Sequence, residues 1–127
     1  YEVLEVVGRG DFGVVLKALD TRLRRVVAVK VLAPAYAASG TARARFVREA
    51  RSAAAVRDEH VVNIHAVGGA DEPLPYLVME FVSGQTLQHK IGRGPLAPAE
   101  VLRVAAQTAR GLAAAHAQGL IHRDVKP

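Results

Sequence analysis

The sequence has no cysteine and no tryptophan, and only 5% of its 127 residues are aromatic. Without cysteine it can form no disulfide bond, thiolate nucleophile or thiolate metal ligand, which fits a reducing compartment. No uninterrupted apolar run reaches the roughly 18 residues of a membrane-spanning helix, so no membrane segment is predicted. The first residues include Glu2 and Glu5 and no basic cluster, which is not typical of a signal peptide.

The net charge is +5 and the pI is near 10.1, while 50% of the residues are hydrophobic, enough for a packed core. A basic chain of this kind raises a nucleic-acid surface as one interpretation. The arginines are scattered along the sequence, however, and few aromatic residues interleave with them to stack on bases. We therefore predict no nucleic-acid partner, and interpret the charge as that of a basic part of a larger domain.

The hydrophobic pattern predicts an α+β fold, with a five-stranded antiparallel sheet and one helix in its first part. The predicted strands cover residues 1–7, 14–19, 26–32, 61–67 and 76–82, and a loop is predicted at 33–40. The predicted helices cover residues 41–57, with Thr41 as N-cap, 86–91 and 99–118. Pro98 suits the first turn of the last helix, and Gly119 suits its end.

Each of the two longer helices has an apolar face. In the first, the buried face is predicted to contain Ala42, Phe46, Ala50, Ala53 and Ala54, with Arg43, Arg45, Arg48 and Arg51 facing solvent. Glu49 lies one turn from Phe46 and Ala53, so it is predicted to face inward. In the last helix the predicted buried residues are Val101, Leu102, Ala105, Ala109, Leu112, Ala113 and His116.

Three glycines, Gly8, Gly10 and Gly13, punctuate the turn between the first two strands. A phosphate group needs backbone N–H groups at close range, and glycine leaves that approach open. An ordinary β-hairpin with a flexible tip is the alternative interpretation. Because this turn joins two strands, it does not fit the dinucleotide-binding motif, which joins a strand to a helix.

Lys30 is the one charged residue in the nearly all-apolar third strand. Such a lysine either extends its ammonium group to solvent or pairs with an anion. An inward Glu49 on the following helix could pair with it. A buried pair contributes little to stability because desolvation offsets the attraction, so this pairing would serve to fix the ammonium group for a ligand phosphate.

The last six residues are His122, Arg123, Asp124, Val125, Lys126 and Pro127. A carboxylate and an ammonium group two residues apart, in a turn held by proline, suit proton acceptance beside a charged phosphoryl group. A charge-rich surface turn is the alternative.

These motifs, in this order, resemble the N-terminal part of a eukaryotic-like (bacterial-type) Ser/Thr protein kinase domain. The matching residues are Gly8, Gly10, Gly13, Val15, Val27 to Lys30, Glu49, 76–82, Gly84 and His122 to Pro127. The resemblance implies a kinase small lobe at 1–82 and the start of the large lobe at 83–127. Lys126, two positions after Asp124, is similar to the Ser/Thr kinases rather than the tyrosine kinases.

The resemblance also implies a role for each matching residue. The glycine turn would cover the phosphates of ATP, Lys30 would hold the α- and β-phosphates, and Glu49 would hold Lys30. Asp124 would accept the proton of the substrate hydroxyl, and Lys126 would steady the γ-phosphate. The adenine would be contacted by Val15, Ala28, Met79, Glu80 and Val82. His116 and His122 are expected to be packing residues.

ATP, Mg²⁺ and a protein substrate with a Ser or Thr acceptor are the implied partners. The family's metal-binding Asn and Asp-Phe-Gly would follow Pro127, so we expect this chain alone to bind nucleotide poorly and not to turn over. A non-catalytic, pseudokinase-like nucleotide-binding or regulatory module is the alternative. The implied location is cytoplasmic, which includes the cytoplasmic part of a membrane-anchored parent. Asp58 and Glu59 depart from the His-Pro of the family, and a looser connection is expected there.

Overall fold

The computed structural model describes residues 1–69 and 72–127, and part of the predicted loop at 68–75 lies outside them. Its sheet has five strands, which are β1 (Glu2–Gly10), β2 (Gly13–Asp20), β3 (Arg25–Leu32), β4 (Ile64–Gly68) and β5 (Tyr76–Glu80). The strand order is β1-β2-β3-β5-β4, and every neighbouring pair is antiparallel. The predicted α+β fold with a five-stranded antiparallel sheet is confirmed.

The core lies on one face of this sheet. Ala18, Val27 and Val78 are fully buried and Val29 is 7% exposed. Successive side chains alternate between the faces of a strand, so Val27 and Val29 share a face and the residues between them point to the other. The small and β-branched residues at these positions pack closely within the central strands, as strand propensity favours.

The helices are α1 (Pro34–Ala37), α2 (Gly40–Ala54), α3 (Leu87–Ile91) and α4 (Pro98–Ala117). The prediction of a loop at 33–40 is wrong over α1, because Pro34 at its first position presets a helical turn and the Ala37 side chain is buried. The predicted N-cap of α2 is also wrong: the Ser39 hydroxyl, rather than Thr41, accepts the hydrogen bond of the Ala42 N–H at 3.3 Å.

The apolar face predicted for α2 is confirmed, since Ala50 is buried and the other four residues are half-buried. One of the arginines predicted to face solvent does not. Arg43 is half-buried, and its guanidinium donates to the carbonyl oxygens of Ala37, Gly69, Pro73 and Glu72. A planar group with five donors can satisfy several carbonyls that no helix or strand pairs. This residue thereby joins α2 to the connection between β4 and β5.

The end of α4 follows the prediction, but its packed face does not. Gly119 has φ +72°, and the N–H groups of Gly119 and Leu120 donate to the carbonyls of His116 (2.8 Å) and Ala115 (3.0 Å), which closes the helix. Gly111 and Ala115 form the buried face, whereas Leu102 is 71% exposed and His116 is exposed.

The physical reason is the small size of Gly111. A Cβ atom at this position would lie 2.9 Å from the carbonyl oxygen of His60, so only glycine lets the helix approach that backbone so closely. The predicted face, which ran through Val101 and Leu102, followed apolar residues alone and missed this contact. The packing role predicted for His116 is wrong for the same reason.

Hydrogen bonds fix the segment before β4, where a looser connection was expected at Asp58 and Glu59. The Asp58 carboxylate accepts hydrogen bonds from the His60 backbone N–H (2.8 Å) and lies 3.0 Å from His60 Nδ1, while the Asp58 carbonyl accepts from Val61 N–H. This turn occupies the residues that were predicted to begin β4, so the strand starts three residues later, at Ile64.

The chain forms two compact units. One contains Tyr1–Ala55 and Val62–Phe81, with the whole sheet, α1 and α2; the other contains Val56–Val61 and Val82–Pro127, with α3 and α4. The assignment of residues 1–82 and 83–127 to two kinase lobes stays a prediction. Within the described part of the chain, no helix has the length and apolarity needed to cross a membrane.

Candidate functional site

The glycine turn of the first unit is a tight hairpin tip. Gly10 and Gly13 are paired across β1 and β2, so only Asp11 and Phe12 form the tip itself. Gly13 has φ +151°, and a Cβ atom there would lie 2.0 Å from the carbonyl oxygen of Val31. Gly13 is therefore required by the fold, because no side chain fits against that backbone.

Gly8 and Gly10 differ from Gly13. Among the described residues, a Cβ atom on Gly10 would meet nothing within 4 Å, and one on Gly8 would meet only the Cβ of Val15, at 3.8 Å. Packing within the chain therefore does not require glycine at these two positions. The space above them is open, as the close approach of a ligand phosphate to the backbone requires.

The register of the sheet brings four predicted site residues onto one face. Val15 lies opposite Lys30 in the β2–β3 pair, and Ala28 lies opposite Met79 in the β3–β5 pair. Ala28 and Lys30 are two residues apart on β3, so all four side chains share a face, as does Gly8, which is paired with Val15. This face is opposite the one that carries the Val27 and Val29 core.

Glu49 does not pair with Lys30 in this structure. Its Oε1 atom lies 2.8 Å from Nε of Arg45, one turn earlier on α2, and both side chains are more than half exposed. Among the residues described, no carboxylate lies within 4.0 Å of the Lys30 ammonium group. The predicted inward orientation of Glu49 is therefore wrong here.

The geometry of the helix explains this difference. Glu49 lies at the margin of the α2 face that buries Ala50, where a long side chain can turn towards either solvent or the sheet. Turned outward, it meets Arg45 at a helical spacing of four, without loss of hydration. The Glu49 carboxylate accepts a hydrogen bond from Arg45 and thereby raises the pKa of that guanidinium.

The end of β5 supplies two further predicted residues of this unit. Met79 is half-buried, and the Glu80 N–H donates to the carbonyl of Asn63 at 2.9 Å. The Glu80 side chain also accepts a hydrogen bond from the Asn63 amide group, at 2.9 Å. Sequence reasoning missed Asn63, since nothing in the sequence marks it as the partner of a residue 17 positions later.

In the second unit, residues 122–127 form an irregular, exposed segment. Nζ of Lys126 lies 2.9 Å from Oδ2 of Asp124, and each side chain is 72% exposed. The Asp124 N–H donates to Nδ1 of His122 at 3.2 Å, so the neutral imidazole carries its proton on Nε2. His122 thus contacts the loop backbone, while its side chain is exposed rather than packed in a core.

Arg123 holds an unusual backbone conformation between these residues, with φ +63°. A non-glycine residue in this region costs on the order of 1–3 kcal/mol and persists where surrounding contacts fix it. The His122–Asp124 and Asp124–Lys126 contacts flank it on both sides. Val82, the remaining predicted adenine contact, is 64% exposed in this unit.

Acidic groups elsewhere in the second unit serve its structure. The Asp58 carboxylate has a lowered pKa, chiefly because the His60 backbone N–H donates to it. The Glu100 carboxylate has a lowered pKa, chiefly because the Lys90 ammonium group donates to it. A cavity of about 250 Å³ lies beside the second pair, between Gln85 and Leu96, and no predicted site residue lines it.

A protein metal site needs several convergent ligand side chains. Nowhere in 1–69 or 72–127 do three or more His, Asp or Glu side chains converge as metal ligands would. The Mg²⁺ site that the resemblance implies is therefore not formed by these residues. The open glycine turn and the Lys30 face do fit a phosphate-bearing nucleotide.

Comparison with known proteins bears on this arrangement. The family described as "Protein kinase domain" matches residues 1–127. The chain is 41% identical over 128 residues to the serine/threonine-protein kinase PknD of Mycobacterium tuberculosis, covering 100% of this chain and 19% of PknD. It is 42% identical over 131 residues to PknB of Mycolicibacterium smegmatis, again covering 100% of this chain and 21% of PknB.

Solved structures are similar as well. The kinase domain of M. tuberculosis PknI superposes with a TM-score of 0.83 at 35% sequence identity, covering 98% of this chain and 51% of that chain. The chain thus spans about a fifth of the length of these curated relatives and about half of the solved domain.

Proposed function

The chain belongs to the protein kinase family, and from this premise we propose that it is the nucleotide-binding and catalytic-loop part of an ATP-dependent protein Ser/Thr kinase. The reaction is transfer of the γ-phosphoryl group of ATP to a Ser or Thr hydroxyl of a protein. Relatives named serine/threonine-protein kinases support this choice, as does Lys126 at two residues after Asp124.

The observation that carries the proposal is the sheet face beneath the glycine turn. Val15, Ala28, Lys30 and Met79 share it, and Gly8 and Gly10 leave open space for a ligand. In this proposal the N–H groups of the turn and the Lys30 ammonium group bind phosphate oxygens. Val15 and Ala28 pack against the adenine, beside Met79.

The main chain at the end of β5 contributes the polar contacts to adenine. Because the Glu80 N–H is bonded to the Asn63 carbonyl, the group that Glu80 offers to a purine is its own carbonyl oxygen. The Val82 backbone provides the matching contact in the proposal. Val82 is exposed to solvent.

Asp124 and Lys126 act on the transferring group. The Asp124 carboxylate accepts the proton of the substrate hydroxyl, and the Lys126 ammonium group, 2.9 Å from it, neutralises charge on the γ-phosphate. Such a reaction depends on positioning and on charge stabilisation rather than on covalent chemistry by the protein.

Mg²⁺ neutralises phosphate charge when it is bound to the nucleotide in such enzymes. The residues described here do not form a ligand set for it, and in the family pattern its ligands follow Pro127. We therefore expect the 127-residue chain by itself to bind nucleotide weakly and to transfer no phosphate.

Alanine substitution within the glycine turn tests the nucleotide site. Gly13→Ala should lower the unfolding temperature, because the new Cβ clashes with the Val31 carbonyl. Gly10→Ala should leave that temperature unchanged or raise it, because the space for the new Cβ is open. Alanine also lowers the conformational entropy of the unfolded chain, so that less entropy is lost on folding. Gly10→Ala should nevertheless weaken ATP binding severalfold, measured by NMR titration. Unchanged affinity in Gly10→Ala would contradict a phosphate-binding role of the turn.

A non-catalytic nucleotide-binding module is a second candidate, favoured by the pairing of Glu49 with Arg45 instead of Lys30. In such a module ATP binding would persist without phosphate transfer. Phosphorylation of a Ser/Thr peptide by a protein that contains this chain, and its loss in Asp124→Asn, would exclude this candidate.

A further inference from the structure

The tip of the glycine turn contacts α1, the short helix that follows β3 in the first unit. The Phe12 and Tyr36 rings lie 5.2 Å apart between centroids, with 37° between their planes. The Ala33 N–H donates to the Phe12 carbonyl at 3.0 Å. Next to these contacts, Gly13 packs directly against the Val31 carbonyl.

These contacts determine where the turn lies. The tip has only two residues, and Phe12 is 61% exposed, so the protein core does not hold its ring. A tilted aromatic pair at this centroid separation is attractive beyond the apolar area that it buries. The ring contact and the Ala33 hydrogen bond therefore fix the tip against residues 33–36.

The position of Tyr36 suits this task. Its side chain is itself exposed, at 37% for the residue, and it is not part of the core cluster around Val27 and Val78. Its ring contacts the ring of Phe12. The short helix α1, begun by Pro34, places Tyr36 where it meets the turn.

We propose that Tyr36 is a positioning residue for the nucleotide: by holding Phe12 it keeps the N–H groups of the glycine turn in place for the phosphates of ATP. This inference rests on the proposed function, because it assigns a purpose to a contact of that same site. Loss of the contact would leave the turn free to move away from the sheet face. The free-energy cost of ordering the turn would then be met on binding and would lower the affinity for nucleotide.

Two readouts on the 127-residue chain test the proposal. Hydrogen exchange of the Ala33 amide reports on attachment of the tip, because this amide is bonded to the Phe12 carbonyl. The adjacent Leu32 amide, bonded to the Pro75 carbonyl at 2.9 Å, is the internal reference. NMR titration with ATP gives the dissociation constant.

Tyr36→Ala should accelerate Ala33 exchange and weaken ATP binding, each by about three- to tenfold, the size expected for loss of an aromatic pair. Tyr36→Phe keeps the ring and should restore both. Phe12→Ala removes the same contact from the turn side without changing α1, and combining it with Tyr36→Ala should add little further effect. Tyr1→Ala is the matched control, because it removes a different ring pair, that of Tyr1 and Tyr76, whose centroids are 6.4 Å apart.

Unchanged Ala33 exchange in both Tyr36→Ala and Phe12→Ala would overturn the proposal. Faster exchange with unchanged ATP affinity would overturn it too, since Tyr36 would then hold the turn without serving the nucleotide. If neither the unsubstituted chain nor a longer protein that contains it binds ATP, the proposed function itself fails and the inference fails with it. The exchange data would still show separately whether Tyr36 holds the turn.

Discussion

At the scale of single residues, Lys30 and Lys17 are a natural comparison. Both project from the same sheet face, since Lys17 lies opposite Ala28, which is two residues from Lys30. Nζ of Lys17 lies 2.9 Å from Oε1 of Glu5 and 5.0 Å from the centroid of the Phe81 ring, so this ammonium group already has partners within the chain. Lys30 has no carboxylate within 4.0 Å among the residues described and is therefore the lysine suited to a ligand anion.

Lys30→Met should therefore weaken ATP binding by about tenfold or more, because hydrogen bonds to a charged group contribute roughly 1.5–3 kcal/mol. Its unfolding temperature should change little, since no ion pair among the described residues is lost. Lys17→Met is the control: it should keep ATP affinity within about twofold. Calorimetric or NMR titration of both variants measures their affinity for ATP. Equal losses of ATP affinity in the two variants would contradict the role proposed for Lys30.

At the scale of secondary-structure elements, α2 carries an exposed carboxylate, that of Glu49. The Arg45–Glu49 pair is exposed and therefore weak, so its loss costs little stability. Arg48, on the same helix and equally exposed, provides a control of the same charge.

Removing Arg45 should favour the orientation of Glu49 towards Lys30. Arg45→Gln is expected to raise ATP affinity slightly, by up to about twofold, with little change in unfolding temperature. Arg48→Gln should leave ATP affinity unchanged. A clear loss of ATP affinity in Arg45→Gln alone would show that Arg45 does not compete with Lys30 for Glu49.

The turn before β4 makes stability depend on pH. The pKa of Asp58 is lowered below its ordinary value of 3.8, chiefly by the hydrogen bond from the His60 N–H, so the folded chain favours the ionised carboxylate. The stabilisation is complete above pH 3.8 and is lost as the pH falls through the lower folded-state pKa.

Asp58→Asn keeps an oxygen that accepts the His60 N–H but no longer titrates. Carboxylates titrate between about pH 5 and pH 2.5. Over this range, the free energy of unfolding measured with urea should fall more in the unsubstituted chain than in Asp58→Asn. Glu59→Gln, a change at the exposed neighbour, should follow the unsubstituted chain. Parallel pH curves for all three proteins would contradict the role given to Asp58.

At the scale of the whole molecule, large apolar side chains are exposed in both units. In the second unit, Val101, Leu102, Ile121 and Val125 are all between 49% and 71% exposed. Contiguous exposed apolar surface favours association between molecules. The packed side of α4, by contrast, uses glycine and alanine, which let backbones approach closely.

Leu102→Gln should therefore reduce self-association without lowering the unfolding temperature, because its side chain is 71% exposed. Val104→Gln is the matched change on the same helix and should lower the unfolding temperature by several degrees, since Val104 is half-buried. Sedimentation velocity and thermal unfolding measure the two effects. Equal destabilisation by both variants would contradict the observed face of α4.

The sequence by itself determined the sheet, the glycine turn, the lysine in β3 and the Asp124–Lys126 motif. These features depend on alternation along a strand, on turn chemistry and on short spacing, all of which are local properties of the chain.

The tertiary structure alone decided which contacts these residues make. It distinguished Gly13, which the Val31 carbonyl forces to be glycine, from Gly8 and Gly10, whose space is open. It turned Glu49 towards Arg45, gave Arg43 its carbonyl partners and set the face of α4 through Gly111. Each of these outcomes depends on atoms brought close by folding or on the competition between solvent and protein for a side chain, and neither can be read from the spacing of residues.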